Sequence, residues 1–363
     1  MEIGIIGLPQ SGKTTVFNAL TKGKASVASY SGKPNIGVAK VPDYRIDNLA
    51  ELYQPRKVVP AEVTYTDVPP PPEGFGETKG IGGEYLNDLQ NSEALVIVIR
   101  AFEDPSIPHV DETIDPFRDG ENLLMEMTFS DLDILDRRVT KVKSGFKSAK
   151  AQERDYLNKE LATLEKFREK MDAGIALRDQ TFTTEESRQL SGFGFLSNKP
   201  VIIVLNIDEQ QLSETESLET KLSSTFSGTE LRTTVICAKL EMELAQMEQE
   251  DELVFRKDLG MIESSLSKMI KVSYDVVGQI AFFTVGEDEV RAWEIRVDTA
   301  AQKAAGKIHT DLERGFIRAE VVPYEDLIQC RSLSESRKRG VLRQEGKDYI
   351  VKDGDIMHVL FNV

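Results

Sequence analysis

Residues Gly7-Leu8-Pro9-Gln10-Ser11-Gly12-Lys13-Thr14 form a complete G-x-x-x-x-G-K-[ST] string, directly after the apolar run Met1–Ile6. Such a string leaves little freedom in the local fold. Glycines let backbone N–H groups close around phosphates, a lysine supplies a point charge, and a Ser or Thr hydroxyl can ligate Mg2+. The preceding run predicts a buried strand. Lys13–Leu20 carries apolar residues at 16, 17, 19 and 20, the spacing of a helix whose N-terminus lies under the phosphates. Gly7, Gln10, Ser11, Gly12, Lys13, Thr14 and Thr15 are the candidate phosphate-binding residues. Lys13 is the candidate catalytic charge and Thr14 a candidate metal ligand.

A chain of 363 residues exceeds what one hydrophobic core organises, so two or three domains are expected. No stretch approaches 18 uncharged apolar residues, which argues against a membrane partner. The opening strand does not read as a signal peptide, and Cys237 and Cys330 alone make no disulfide framework; a reducing, cytoplasmic setting is the expectation. Lys plus Arg at 45 against Asp plus Glu at 61 gives a formal net charge of −16, which disfavours indiscriminate binding to nucleic acid and makes local basic patches informative. Arg137, Arg138, Lys141, Lys143, Lys147 and Lys150 form one such patch, with no acid among them.

That patch lies in a proline-free segment, 129–190, with apolar residues three and four apart, read as two antiparallel helices forming a coiled-coil-like arm. Candidate strands stand on both sides of it, at Val63–Val68 and Leu95–Ala101 before, and at Pro200–Asn206 and Thr233–Ile236 after. The flanks are expected to make one sheet. The resulting expectation is an α/β P-loop domain over 1–128 and 199–277, a helical coiled-coil insertion over 129–198, and a small β-grasp-like domain over 278–363. In the last, Ile280–Val285 and Val290–Ile295 read as a hairpin, Thr299 as the cap of a helix through Ile308, and Phe316–Val322 and the stretch near Ile350 to Val359 as strands.

The strand Pro200–Asn206 runs into Asn206-Ile207-Asp208-Glu209. P-loop GTPases place N/T-K-x-D here, where the Asp takes two hydrogens from the guanine edge and the Lys stem covers the ring. Ile207 and Glu209 stand where that Lys and Asp would be. Cys237-Ala238-Lys239 follows the next strand, where the same plan has an S-A-K loop offering backbone N–H groups to the base. Order and spacing together point to a nucleotide domain of the GTPase class.

The chain resembles the YchF, or Obg-like ATPase, family nearly end to end. Pro34-Asn35-Ile36-Gly37-Val38 matches its P-N-V-G-V, Asn206–Glu209 its N-x-x-E, and Cys237–Leu244 is similar to its C-A-x-x-E-x-E-L; the blocks at Glu289–Trp293, Ala304–Asp311, Glu313–Val321 and Glu345–Asp355 look like its TGS domain. The resemblance implies a member of a GTP-using class that prefers ATP over GTP, with Asn206, Ile207, Glu209 and Ala238 framing adenine. It also implies association with ribosomes or ribosomal RNA through the arm and the TGS-like domain. The family's Mg2+-contacting Thr falls on Ser31, and Asp67 heads the D-x-A-G-L position.

There the chain departs, reading Asp67-Val68-Pro69-Pro70-Pro71-Pro72. Asp67 can still hold Mg2+ through water, but Pro70 has no N–H to offer the γ-phosphate. Pro71 stands where many switch GTPases use Gln to orient water, so slow hydrolysis is expected. The competing reading is a nucleotide-sensing scaffold with little or no hydrolysis. A small-molecule kinase is a weaker third, since no second substrate site is evident.

Overall fold

The computed structural model describes residues 1–363 except 24–33, 70–80, 82, 108, 110–112, 148–149, 260, 262–263 and 363. Ser31, Pro70, Pro71 and Pro72 therefore lie outside the described residues. The chain divides into two units, Met1–Val38 with Thr64–Met269, and Ala39–Val63 with Ile270–Val363.

The strands of the chain's first 240 residues are β1 (Glu2–Ile6), β2 (Asn35–Lys40), β3 (Lys57–Val59), β4 (Glu62–Asp67), β5 (Ala94–Arg100), β6 (Val201–Asn206) and β7 (Leu231–Ile236). Six of them form a sheet in the order β2-β4-β1-β5-β6-β7. The pairings of β1 with β4 and β5, of β5 with β6 and of β6 with β7 are all parallel. A parallel sheet covered on both faces needs continuous apolar strands. Accordingly, all seven residues of β5 and all six of β6 are buried. The helices are α1 (Lys13–Thr21), α2 (Tyr44–Tyr53), α3 (Gly83–Asn91), α4 (Pro116–Gly145), α5 (Ala151–Asp172), α6 (Thr184–Leu190), α7 (Thr215–Thr225) and α8 (Ala238–Leu244).

The arm begins earlier than its sequence pattern suggests. Asp115 caps α4 through Phe117 N and Arg118 N, with Pro116 in the first turn, so the helix starts thirteen residues before Phe129. Its first half serves the sheet, where Leu123 and Met127 join the apolar cluster of Ile97 and Leu205. Its second half pairs with α5, burying Leu135, Val139 and Val142 against Leu164, Phe167 and Met171. Arg138–Glu160 (2.5 Å), Lys143–Glu165 (2.9 Å) and Arg168–Asp136 (3.0 Å) pair across the two helices. The second helix stops at Asp172 instead of running to Leu190, because Gly174 turns left-handed (φ 82°) and Ile175 N bonds back to Lys170 O.

In the second unit, β8 (Gln279–Val285) and β9 (Glu289–Arg296) make the expected hairpin. With β10 (Phe316–Pro323), β11 (Arg343–Glu345) and β12 (Asp355–Phe361) they form a sheet ordered β11-β10-β12-β8-β9-β3. The parallel pairing of β3 with β9 places the segment Ala39–Val63 in this unit, although its sequence position suggested the nucleotide domain. Thr299 does not cap the following helix. Its hydroxyl donates to Arg296 O in the turn (2.6 Å), and Ala300 holds the N-cap position. Arg337 pairs with Glu320, while Lys338 and Arg339 pair with Glu335, so this basic cluster is largely neutralised by its own domain. Trp293 donates to Thr284 Oγ1 and packs beside Phe282.

Candidate functional site

The loop between β1 and α1 is shaped by contacts that exclude side chains. A Cβ on Gly7 would lie 2.4 Å from Val98 O, and one on Gly12 would lie 2.2 Å from Asn206 Nδ2. Gly12 is also left-handed, at φ 90°, and Gln10 holds φ 64° without being glycine. The loop thus presents backbone at the start of α1, where helix N–H groups and their dipole favour an anion.

Around this loop the side chains converge. Thr14 Oγ1 donates to Asp67 Oδ2 at 3.0 Å, and Asn35 Nδ2 donates to the same oxygen at 3.4 Å. Lys13 Nζ donates to Val68 O at 3.2 Å. Burial pushes the Lys13 ammonium down to about 8, opposed by the nearby Asp67 carboxylate, while burial pushes the Asp67 carboxyl up against the pull of Lys13, Thr14 and Asn35.

Asn206, at the end of β6, joins two loops. Its Nδ2 donates to Ser11 O (3.1 Å) and its Oδ1 accepts from Ala238 N (3.1 Å). The Ala238 N–H expected to face a base is therefore used to hold the loop. Beside this clasp, at the ends of β5, β6 and β7, lies a cavity of about 620 Å³, bordered by Gly12, Thr15, Phe102, Asn206, Glu209 and Lys239 among others. Ligands of open parallel sheets bind at this end of the strands. Ile207 and Cys237 also border the cavity while belonging to the apolar cluster with Leu205 and Leu240. Glu209 is exposed. The neighbouring Asp208 carboxylate accepts from Gln210 N and Gln211 N, so it serves as a helix cap. Burial pushes the Cys237 thiol up to about 11.

Of the residues singled out in the sequence, Gly12, Thr15, Asn206, Ile207, Glu209, Cys237 and Lys239 border the cavity; Gly7, Gln10, Ser11, Lys13 and Thr14 belong to the same loop and helix start, Asp67 is bonded to Thr14, and Ala238 is bonded to Asn206. Sequence reasoning missed Phe102, Asp104, Ile107 and Met242, which also border it. The signal for the first three was their place just beyond an apolar strand of the parallel sheet. Among the described residues no cluster of three or more His, Cys, Asp or Glu side chains could hold a metal, and no helix is long and apolar enough to cross a membrane.

Comparison with known proteins bears on this site. A family model described as a 50S ribosome-binding GTPase matches residues 2–127, and a YchF GTPase C-terminal model, described as a protein of unknown function, matches 279–362. The chain is 37% identical to the ribosome-binding ATPase YchF of Bacillus subtilis (strain 168), over 100% of both chains. It is 36% identical to the protein of that name from Escherichia coli O157:H7, over 100% of this chain and 99% of the other. The structure of the Schizosaccharomyces pombe YchF GTPase aligns with a TM-score of 0.85 at 29% identity, covering 99% of this chain and 97% of that one.

Proposed function

The chain belongs to the YchF family, and from that membership we propose that it is a Mg2+-dependent P-loop protein that binds ATP, hydrolyses it slowly and associates with the ribosome. The observation that carries the base choice is the cavity beside the cradle, where Ile207 and Glu209 replace the Lys and Asp of guanine readers. A buried isoleucine offers apolar surface to any base. Glu209 sits on the first turn of a capped helix, one methylene longer than the Asp that takes two hydrogens from guanine.

The oxygen donors fit Mg2+. Thr14 Oγ1 and the Asp67 carboxylate, 3.0 Å apart, would hold the ion, joined in sequence by Ser31. Held there, Mg2+ would supply charge neutralisation to bound phosphates. Lys13 supplies the positive charge at the same end, and the glycines let the loop backbone pack against Val98 O and the Asn206 amide, where a side chain would clash. Pro71 has neither a side-chain acceptor nor an N–H with which to orient water, which supports slow turnover by the isolated protein. The relatives' name, ribosome-binding ATPase, supports a ribosomal partner, for which the exposed Arg137, Lys141, Lys147 and Lys150 of the arm are the proposed contact.

Titration of the protein with fluorescent ATP and GTP tests the base choice. ATP should bind at least as tightly as GTP, and Ile207→Lys combined with Glu209→Asp should move the preference toward GTP. A wild-type protein favouring GTP tenfold, about 1.4 kcal/mol, would sink the reading.

A further inference from the structure

Arg100 ends β5 and is 2% exposed. A buried guanidinium ordinarily has a carboxylate beside it, since burying an unpaired charge is costly. Here the Asp104 carboxylate lies close enough to act on it electrostatically, yet its hydrogen bonds go to main chain. Nε donates to Phe102 O at 3.1 Å and Nη2 to Asp104 O at 3.4 Å, while Nη1 has no hydrogen-bond partner among the described residues. A buried group left partly unsatisfied calls for an explanation beyond packing, which an aliphatic side chain would do as well.

The explanation lies in what the guanidinium touches. Its Cζ stands 4.6 Å from the centroid of the Phe102 ring. Phe102 borders the nucleotide cavity, whereas Arg100 borders the tight space beneath the phosphate loop, beside Leu8, Pro9 and Ser11. The charge thus lies over the Phe102 ring, and Arg100 itself does not border the cavity. The loop beyond is a small turn in which Ser106 N donates to Asp104 Oδ1 (2.9 Å) and Ile107 N to Asp104 O (3.0 Å). Arg100 ties that turn to the sheet by the same Asp104 carbonyl. In the parallel ladder the partner of Arg100 is Asn206, which ties Ser11 and Ala238. Two side chains at one register position therefore hold the loops on either side of the cavity.

We infer that Arg100 is a positioning residue for purine recognition: it fixes the 102–107 loop and holds the Phe102 ring as a wall against which the base stacks. The inference rests on the cavity being the base site. The cation over one face of the ring draws electron density from the other, which favours an electron-rich purine stacked there. The planar fork matters as well as the charge, because a single ammonium on a flexible stem does not present two bonds and a flat face to the ring together.

The test uses the full chain and two probes, ATP and inorganic tripolyphosphate, which has no base, each titrated calorimetrically in the presence of Mg2+. Arg100→Met and Arg100→Lys should each weaken ATP about tenfold while changing tripolyphosphate affinity less than about twofold. Phe102→Ala should do the same, and adding Arg100→Met to it should cost nothing more. If both probes weaken together in the Arg100 variants, the residue supports the phosphate cradle instead and the inference is overturned. It is overturned equally if the variants keep the wild-type ratio of the two affinities. A wild-type protein that binds ATP no better than tripolyphosphate would remove the base-site reading itself, a result distinct from the other two.

Discussion

Lys13 carries its charge in a place that disfavours charge. Burial holds its ammonium down to about 8, and Asp67 only partly offsets this. A bound triphosphate adds negative charge and raises that value, so binding above pH 8 must take up a proton. Affinity for triphosphate should accordingly be flat below pH 8 and fall as the pH rises past it, by no more than about tenfold per unit. Isothermal titration between pH 7 and 9.5 measures this, with Lys13→Ala expected to lose the dependence, to lose hydrolysis, and to lose more affinity for triphosphate than for diphosphate. A wild-type affinity that stays level to pH 9.5 would contradict the assignment. Gly12 makes a steric counterpart. Alanine there meets both a left-handed backbone and the Asn206 amide, and is expected to destabilise by about 1–3 kcal/mol, read as a shifted urea midpoint. The glycine was visible in the motif; the amide that requires it comes from a residue 195 positions beyond Ser11, and no local pattern announces it.

Among the elements, α4 belongs to two cores, and the joint between them is Asp131. Its buried carboxylate accepts from Leu196 N (2.9 Å) and Ser197 N (2.6 Å), fastening the arm to the turn that leads into β6. Burial pushes this carboxyl up to about 6, against those bonds and the nearby Arg178. A carboxyl raised in the folded state favours folding most when protonated. Its contribution is full below the ordinary value near 4 and is lost as the pH rises through 6. Relative to Asp131→Asn, the wild type should therefore lose on the order of 2–3 kcal/mol between pH 4 and 7, measured as the gap between urea midpoints at each pH. A constant gap would show that the carboxyl titrates normally. The helical period of the arm was legible, but its start was not. Apolar residues at helical spacing look the same whether they face the sheet or α5, so Leu123 and Leu135 could not be assigned to different cores beforehand.

Charge acts over the whole molecule. With a formal net charge of −16, the chain as a whole is repelled by nucleic acid, and a ribosomal contact needs a local exception. Within the arm, Arg138 and Lys143 are occupied with α5, and in the second unit Arg337 is occupied with Glu320. Arg137, Lys141, Lys147 and Lys150 are exposed. Replacing Lys141, Lys147 and Lys150 together by Glu should weaken co-sedimentation with ribosomes about tenfold or more and flatten its dependence on salt, while ATP affinity stays unchanged. Co-sedimentation that survives the triple change at every salt concentration would place the contact elsewhere.

Short-range physics made much of this protein readable from its residues alone. A glycine loop between strand and helix has one productive geometry, buried parallel strands must be continuously apolar, and the GTPase-like order of motifs carried over to the ends of successive strands. Long-range pairing was not readable. The join of β3 to β9, which takes Ala39–Val63 into the second unit, depends on backbone hydrogen bonds between segments some 230 residues apart, and those bonds carry no side-chain signature. The same holds at the cavity. Asn206 and Arg100 are an amide and a cation in the sequence. They become fasteners of three loops only because the sheet sets β5 and β6 side by side in one register.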